Sequence, residues 1–73
     1  MTETVRKPDR RIERTRQLLS KALMDLIIER GYDTITIQDI TDRANVSRAT
    51  FYLHYKDKDE LLYQSMTKIY DAL

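Results

Sequence analysis

Apolar side chains recur at helical spacing through most of this sequence, and the pattern is clearest between residues 36 and 44. Ile37, Ile40 and Ala44 form a one-sided apolar stripe there, which is typical of an amphipathic helix. Thr36 stands just before the stripe and Asp39 lies three residues after Thr36. Thr36 can therefore cap the helix, and the Asp39 carboxylate can accept the N–H of the cap residue.

A second short helix is predicted directly after a tight turn. Asn45 tolerates left-handed backbone angles better than most residues, so the first of the two helices should end there. Ser47 repeats the capping pattern, and Val46 is placed to pack against Phe51. Two short helices joined in this way predict a helix-turn-helix.

This second helix has an outward face suited to contact with a ligand. At about 100° per residue, Phe51 and Tyr55 point inward, whereas Ala49 and Leu53 point outward. Polar side chains flank or follow the outward pair: Arg48, Thr50, Tyr52, His54, Lys56 and Lys58. A small outward residue allows approach to base edges, and long polar flanks suit the phosphates of a major groove. A solvated helix face is the alternative, and the convergence of these groups beside a capped turn favours DNA.

A longer helix is predicted before this unit. Asp9 can cap it, and it should run to about Arg30, where Gly31 suits a left-handed C-cap and Tyr32 could fold back onto Ile27. Its predicted core stripe consists of Ile12, Leu19, Ala22, Leu23, Leu26 and Ile27.

A fourth helix is predicted after the helix-turn-helix. Asp57 should cap it, and Glu60 should complete a capping box. Leu61 and Leu62 can pack on the first three helices. The predicted apolar stripe of this helix consists of Leu62, Met66, Ile69 and Leu73. The pattern is still periodic at the last residue, so we expect a truncated chain whose helix frays or self-associates beyond Met66.

Composition limits the chain to one small domain. It has 73 residues, no cysteine, 34% charged residues and a net charge of +1. Residues 1–8 are predicted to form a disordered basic arm. Two interpretations of the arm stay open with equal weight, an ordinary frayed terminus and a segment that follows DNA through Arg6, Lys7, Arg10 and Arg11.

Catalysis and membrane insertion have little support. His54 is the only histidine, so neither a metal site nor an acid–base pair is expected, and we predict a protein that is not an enzyme and needs no cofactor. The longest apolar run, residues 26–28, is too short to span a membrane. The N-terminus does not resemble a signal peptide, which predicts a cytoplasmic location.

Two segments resemble the TetR (tetracycline-repressor) family of transcriptional regulators. VSRATFYLHYKDKDEL is similar to the recognition-helix signature of that family, and IERTRQLLSKALMDLIIERGYDTITIQDITDRA is similar to its first two helices. Asn45 stands where the family usually has Gly, and Thr41 where it usually has Ala. The resemblance implies an all-α, homeodomain-like fold over residues 9–73, with a three-helix helix-turn-helix DNA-binding domain and the start of a fourth, linking helix.

The resemblance also implies roles and partners. Arg48, Ala49, Thr50 and Leu53 match positions that face base edges. Thr36, Ser47, Tyr52, His54 and Lys58 match positions that hold the DNA backbone, and Gln38 matches one that reaches either. The implied whole protein is a ligand-responsive repressor with a small-molecule inducer. It would bind a palindromic operator in double-stranded DNA as a homodimer. The dimer would form through a C-terminal domain that is absent here. The alternative is a helical protein-interaction module that uses the apolar face of helix four.

Overall fold

Four α-helices make up the part of the chain that the computed structural model describes, which is residues 10–72, with side chains up to residue 67. They are α1 (Arg10–Arg30), α2 (Ile37–Ala44), α3 (Arg48–His54) and α4 (Lys58–Ala72), and a 3₁₀ turn, Tyr32–Thr34, joins α1 to α2. The predicted all-α fold is confirmed. The basic arm, the Asp9 cap, Leu73 and the side chain of Ile69 lie outside what is described.

The core lies where α1 packs against α2 and α4, and where α3 packs against α2. Its buried apolar side chains are Leu19, Ala22, Leu23, Leu26, Ile35, Ile40, Ala44, Phe51, Tyr55 and Leu61. The prediction that Ile12 belongs to this core is wrong, because its side chain is 46% exposed. Ile12 precedes Leu19, the first buried residue of α1, by about 10 Å of helix, so it lies beyond the end of the buried stripe.

Gly31 allows the chain to leave α1. Its φ is 85° and its ψ is 154°. The positive φ agrees with the prediction, but the predicted left-handed helical conformation is wrong because ψ is extended. A 3₁₀ turn follows this residue at once. The Gly31 N–H donates to the Ile27 carbonyl at 2.8 Å, and the Thr34 hydroxyl contacts the carbonyls of Arg30 and Gly31.

The predicted capping box at the start of α2 is confirmed. The Asp39 N–H donates to Thr36 Oγ1 at 3.0 Å, and the Thr36 N–H donates to Asp39 Oδ2 at 2.9 Å. Arg30 at the end of α1 forms an ion pair with the same carboxylate. Together, the hydrogen bonds from Thr36 and the nearby Arg30 charge lower the pKa of Asp39. One carboxylate therefore fixes both the start of α2 and its contact with α1.

The turn between α2 and α3 accommodates both residues that differ from the usual family pattern. Asn45 adopts the left-handed conformation, with φ 61° and ψ 44°. Thr41 is buried, and its hydroxyl donates to the Gln38 carbonyl at 3.2 Å. The Val46 N–H donates to the Thr41 carbonyl at 3.0 Å and closes the turn. Asn45 therefore fits the turn through its left-handed backbone, and Thr41 fits it with its hydroxyl group bonded.

The start of α4 differs from the prediction in one hydrogen bond. Asp57 caps the helix as predicted, since Asp57 Oδ1 accepts the Glu60 N–H at 2.8 Å. Glu60 does not complete a capping box with Asp57, because its carboxylate accepts the N–H of Lys56 at 2.7 Å. The carboxylate reaches one residue further back and so ties the end of the α3–α4 connection to the first turn of α4.

The side of α4 that faces the core is also shifted by one residue. Leu61 and Ser65 are buried, Leu62 is partly buried and Met66 is about half exposed. The predicted packing of Leu61 and Leu62 is confirmed. The prediction that the stripe from Leu62 to Met66 faces the core is wrong. The hydroxyl groups of Ser20 and Ser65 lie 2.7 Å apart, so Ser65 lies on the side of α4 that faces α1.

Candidate nucleic-acid interface

The outward face of α3 is as exposed as the helical spacing predicts. Leu53 is 81% exposed and Ala49 is also exposed. Phe51, two residues from each of them and so about 200° around the helix, is fully buried, and Tyr55 is buried with it. The core therefore holds one side of α3 and leaves the opposite side open to a ligand.

Two hydroxyl groups form a small network at the start of α3. The Thr50 N–H donates to Ser47 Oγ at 3.0 Å, which confirms the predicted cap. The Ser47 hydroxyl in turn donates to Thr50 Oγ1 at 2.9 Å. A hydroxyl group has one proton to donate, so Ser47 has used its proton and Thr50 has not. Thr50 is thus the better placed of the two to donate to a base or a phosphate.

Tyr52 lies at the border between the core and the outward face. Its ring meets the Phe51 ring edge-on, with 5.3 Å between the ring centroids, and 49% of Tyr52 remains exposed. Tyr52 is therefore braced by a fixed neighbour and is not itself a core aromatic residue. A ring held in this way can present its hydroxyl group with little loss of side-chain entropy.

Three arginines at the ends of α1, α2 and α3 differ in their partners. Arg30 and Arg43 form ion pairs with Asp39 and Glu29, and the Arg43 hydrogen bond lowers the pKa of the Glu29 carboxyl. Arg48 is exposed at the start of α3, and none of the acidic side chains in the described part of the chain pairs with it. Its guanidinium group therefore keeps its donors available for a carbonyl or phosphate acceptor.

Two predicted site residues lie near the start of α2. Thr36 Oγ1 accepts the Asp39 N–H within the capping box. The Gln38 side-chain amide donates one N–H to Asp42 at 2.7 Å and retains its other N–H and its carbonyl. His54 ends α3, where it is half-buried beside the Tyr55 ring.

Lys58 has a structural role that the sequence pattern did not predict. Its Nζ donates to the carbonyls of Tyr32 and Ile35 at 2.9 and 2.7 Å and lies 4.3 Å from the centre of the Tyr32 ring. Two of the three ammonium protons are therefore used inside the fold. The predicted contact of Lys58 with a phosphate stays a prediction, and it would rely on the third proton.

Tyr32 completes this junction, which we call the α4 clamp (Tyr32, Lys58 and Asp59). The Tyr32 hydroxyl donates a short hydrogen bond to Asp59 Oδ1. Burial, together with the bond to this carboxylate, raises the pKa of the Tyr32 phenol. The partners are 27 residues apart in the chain, so no local pattern could have revealed that the 3₁₀ turn holds the start of α4.

Replacing Lys58 with Met should destabilise the fold even without DNA. The variant leaves the Tyr32 and Ile35 carbonyls without their charged donor, and we expect a loss of about 1–3 kcal/mol in the free energy of unfolding. Lys56→Met is the matched control, because Lys56 is exposed, and it should change stability by less than about 0.5 kcal/mol. Urea denaturation followed by circular dichroism measures both. Equal stability of the two variants would contradict the clamp.

Other classes of site find no support in the described residues. No group of three or more His, Cys, Asp or Glu side chains is arranged there to hold a metal ion. None of the helices in residues 10–72 combines the length and the apolar character that a membrane span requires. The features that remain are the exposed outward face of α3 and the capped residues beside it.

A helix-turn-helix with an open second helix defines a DNA-binding domain of the bacterial regulator class. The family model described as "Bacterial regulatory proteins, tetR family" matches residues 18–64. This chain therefore belongs to the TetR family, as its two segments predicted. The matched residues are the DNA-binding helix-turn-helix region of that family.

Several curated relatives support this assignment. The uncharacterized HTH-type transcriptional regulator YxbF of Bacillus subtilis (strain 168) is 54% identical over 55 residues, which are 74% of this chain and 14% of the relative. The biofilm operon icaADBC HTH-type negative transcriptional regulator IcaR of Staphylococcus epidermidis is 35% identical over 46 residues, 63% of this chain and 25% of the relative. The HTH-type transcriptional regulator TcmR of Streptomyces glaucescens is 29% identical over 63 residues, 86% of this chain and 28% of the relative.

The chain spans only a small part of these relatives, between 14% and 28% of their length. No solved structure matches it significantly.

Proposed function

We propose that this chain is the sequence-specific operator-binding domain of a transcriptional repressor, and that α3 enters the major groove of double-stranded DNA. The observation that carries the proposal is the division of α3 into a buried side, held by Phe51, and an open side that carries Arg48 and Leu53. A helix held in this way can be inserted into a groove without any loss of its core contacts. Major-groove edges distinguish all four base pairs, so a helix placed there can read sequence.

The open side supplies both kinds of contact that such a complex needs. The Arg48 guanidinium group forms no ion pair with the described residues, and its donors suit the two acceptors on the guanine edge. Base contacts are assigned to Arg48, Ala49, Thr50 and Leu53. Contacts with the DNA backbone are assigned to Thr36, Ser47, Tyr52, His54 and Lys58, and Gln38 is assigned to either. Within the backbone set, Tyr52 is favoured by its exposure, whereas Ser47 and Lys58 already donate inside the fold.

The assembly proposed for the whole protein is a homodimer in the cytoplasm on a palindromic operator. The two α3 helices would lie roughly 34–36 Å apart, or a small multiple of that, to reach successive major grooves. We propose that a region outside these 73 residues forms the dimer and binds a small-molecule inducer. The negative regulator IcaR among the relatives supports the choice of a repressor.

Arg48→Ala should reduce both affinity and sequence preference. Loss of a bidentate base contact is expected to cost about 1–3 kcal/mol on the preferred site and to flatten the ranking among site variants. Tyr52→Phe is the matched variant, because it removes one hydroxyl group proposed to hold a phosphate and should weaken all sequences by a similar factor. Fluorescence anisotropy with a panel of single-base variants of the preferred duplex measures both effects at fixed salt.

For the proposal to hold, Arg48→Ala must change the ranking of the duplexes, whereas Tyr52→Phe must weaken all of them by a similar factor. If Arg48→Ala left the ranking of the duplexes unchanged, Arg48 would not read bases. If neither variant weakened binding, α3 would not be the helix that contacts DNA.

A further inference from the structure

Leu53 is the most exposed large apolar side chain of α3. It is 81% exposed, so it contributes little to the stability of the fold. It lies at the centre of the outward face, one turn after Ala49 and between Tyr52 and His54. The small Ala49 side chain leaves room for a partner to approach Leu53 closely.

The groove that α3 is proposed to enter offers one kind of apolar partner for such a side chain. Base edges in the major groove present hydrogen-bond donors, acceptors and the C5-methyl group of thymine. An aliphatic side chain gains nothing from the polar groups and leaves them without a partner. A pyrimidine C5-methyl group is the one feature with which it can bury surface.

We propose that Leu53 is a specificity-determining residue that recognises the C5-methyl group of a pyrimidine in each half-site. Thymine is one source of this group and 5-methylcytosine is the other. The inference rests on the proposed function, since it requires α3 in the major groove. It assigns to Leu53 a distinct part of base recognition, separate from the hydrogen bonds of Arg48.

The test uses the 73-residue chain fused to a dimerising coiled coil and the palindrome that it selects from a random duplex pool. Each thymine is replaced in turn, in both half-sites, by deoxyuridine, which keeps every hydrogen-bonding group and lacks only the methyl group. In parallel, each cytosine is replaced by 5-methylcytosine. Burial of one methyl group changes affinity about fourfold, so two half-sites should give about fifteenfold.

Leu53→Ala and Ile28→Ala form a matched pair of variants. Ile28 is an isomeric side chain with nearly equal exposure, 83%, but it lies on α1. We expect the Ile28 variant to keep the full methyl effect at the sensitive position. The Leu53 variant should reduce it to less than about twofold per half-site. Melting curves of both variants should match that of the parent chain, because neither side chain is buried.

The outcomes separate the inference from the function on which it rests. A loss on deoxyuridine that disappears in Leu53→Ala supports thymine, and a gain on 5-methylcytosine that disappears in the same variant supports that base. If the fusion selects a palindrome but none of the methyl effects depends on Leu53, the inference is overturned and the operator-binding function stays intact. Selection of no preferred sequence at all overturns the proposed function, and the inference with it.

Discussion

Phe51→Ala should leave most of the chain unfolded at 25 °C. Phe51 is fully buried where α3 meets the other helices, and truncation of a buried Phe to Ala typically costs about 3–5 kcal/mol. A single core in a domain of this size rarely supplies more than about 3–5 kcal/mol in total. The expected loss therefore equals or exceeds the whole free energy of folding. Circular dichroism at 222 nm with urea titration measures it.

Leu53→Ala is the control on the same helix. Leu53 is exposed, so its truncation should change the free energy of unfolding by less than about 0.5 kcal/mol. The comparison tests the orientation of α3, because the two positions differ by two residues and lie on opposite sides of the helix. Similar stability of the two variants, or a larger loss at Leu53, would mean that α3 is rotated from the orientation described.

Dimerisation should raise the affinity of this chain for a palindromic duplex by roughly 10²–10⁴. A single domain contacts one half-site, and tethering makes the second contact intramolecular. The fusion places a dimerising coiled coil after Leu73, with a linker long enough for recognition helices about 34–36 Å apart. Anisotropy titrations at one salt concentration compare the fused and unfused chains.

Two controls show whether the gain comes from the second half-site. A duplex with one half-site scrambled should bind the fusion and the single chain with similar affinity. A fusion whose coiled coil carries substitutions that prevent pairing should behave like the single chain on every duplex. Equal affinity of the dimeric fusion and the single chain for the intact palindrome would contradict a two-fold mode of binding.

The helix boundaries and the outward face could be predicted because they depend on neighbours in sequence. The caps at Thr36, Ser47 and Asp57 each involve a hydrogen bond from a residue three positions later. The opposite orientations of Phe51 and Leu53 follow from helical geometry alone. Local spacing therefore defines both the helix-turn-helix and the face that it presents.

The docking of α4 could not be predicted in the same way. Leu61 and Leu62 are adjacent apolar residues, so the sequence offers two possible inward faces, and the stripe through Met66 favours the wrong one. The face that is buried makes contacts with residues distant in sequence, such as the hydrogen bond between the Ser20 and Ser65 hydroxyl groups. The internal hydrogen bonds of Lys58 could not be predicted either, because its carbonyl partners lie 26 and 23 residues earlier.

The central claim is that the outward face of α3, and not the exposed side of α4, binds DNA. An NMR titration of the ¹⁵N-labelled chain with a duplex that carries the preferred site tests it most directly. We predict amide shift changes concentrated at Thr36 and in residues 47–54, with weaker binding at higher salt as phosphate contacts require. Changes confined to the surroundings of the exposed Tyr63 and Met66 on α4, with α3 unaffected and no salt dependence, would contradict it.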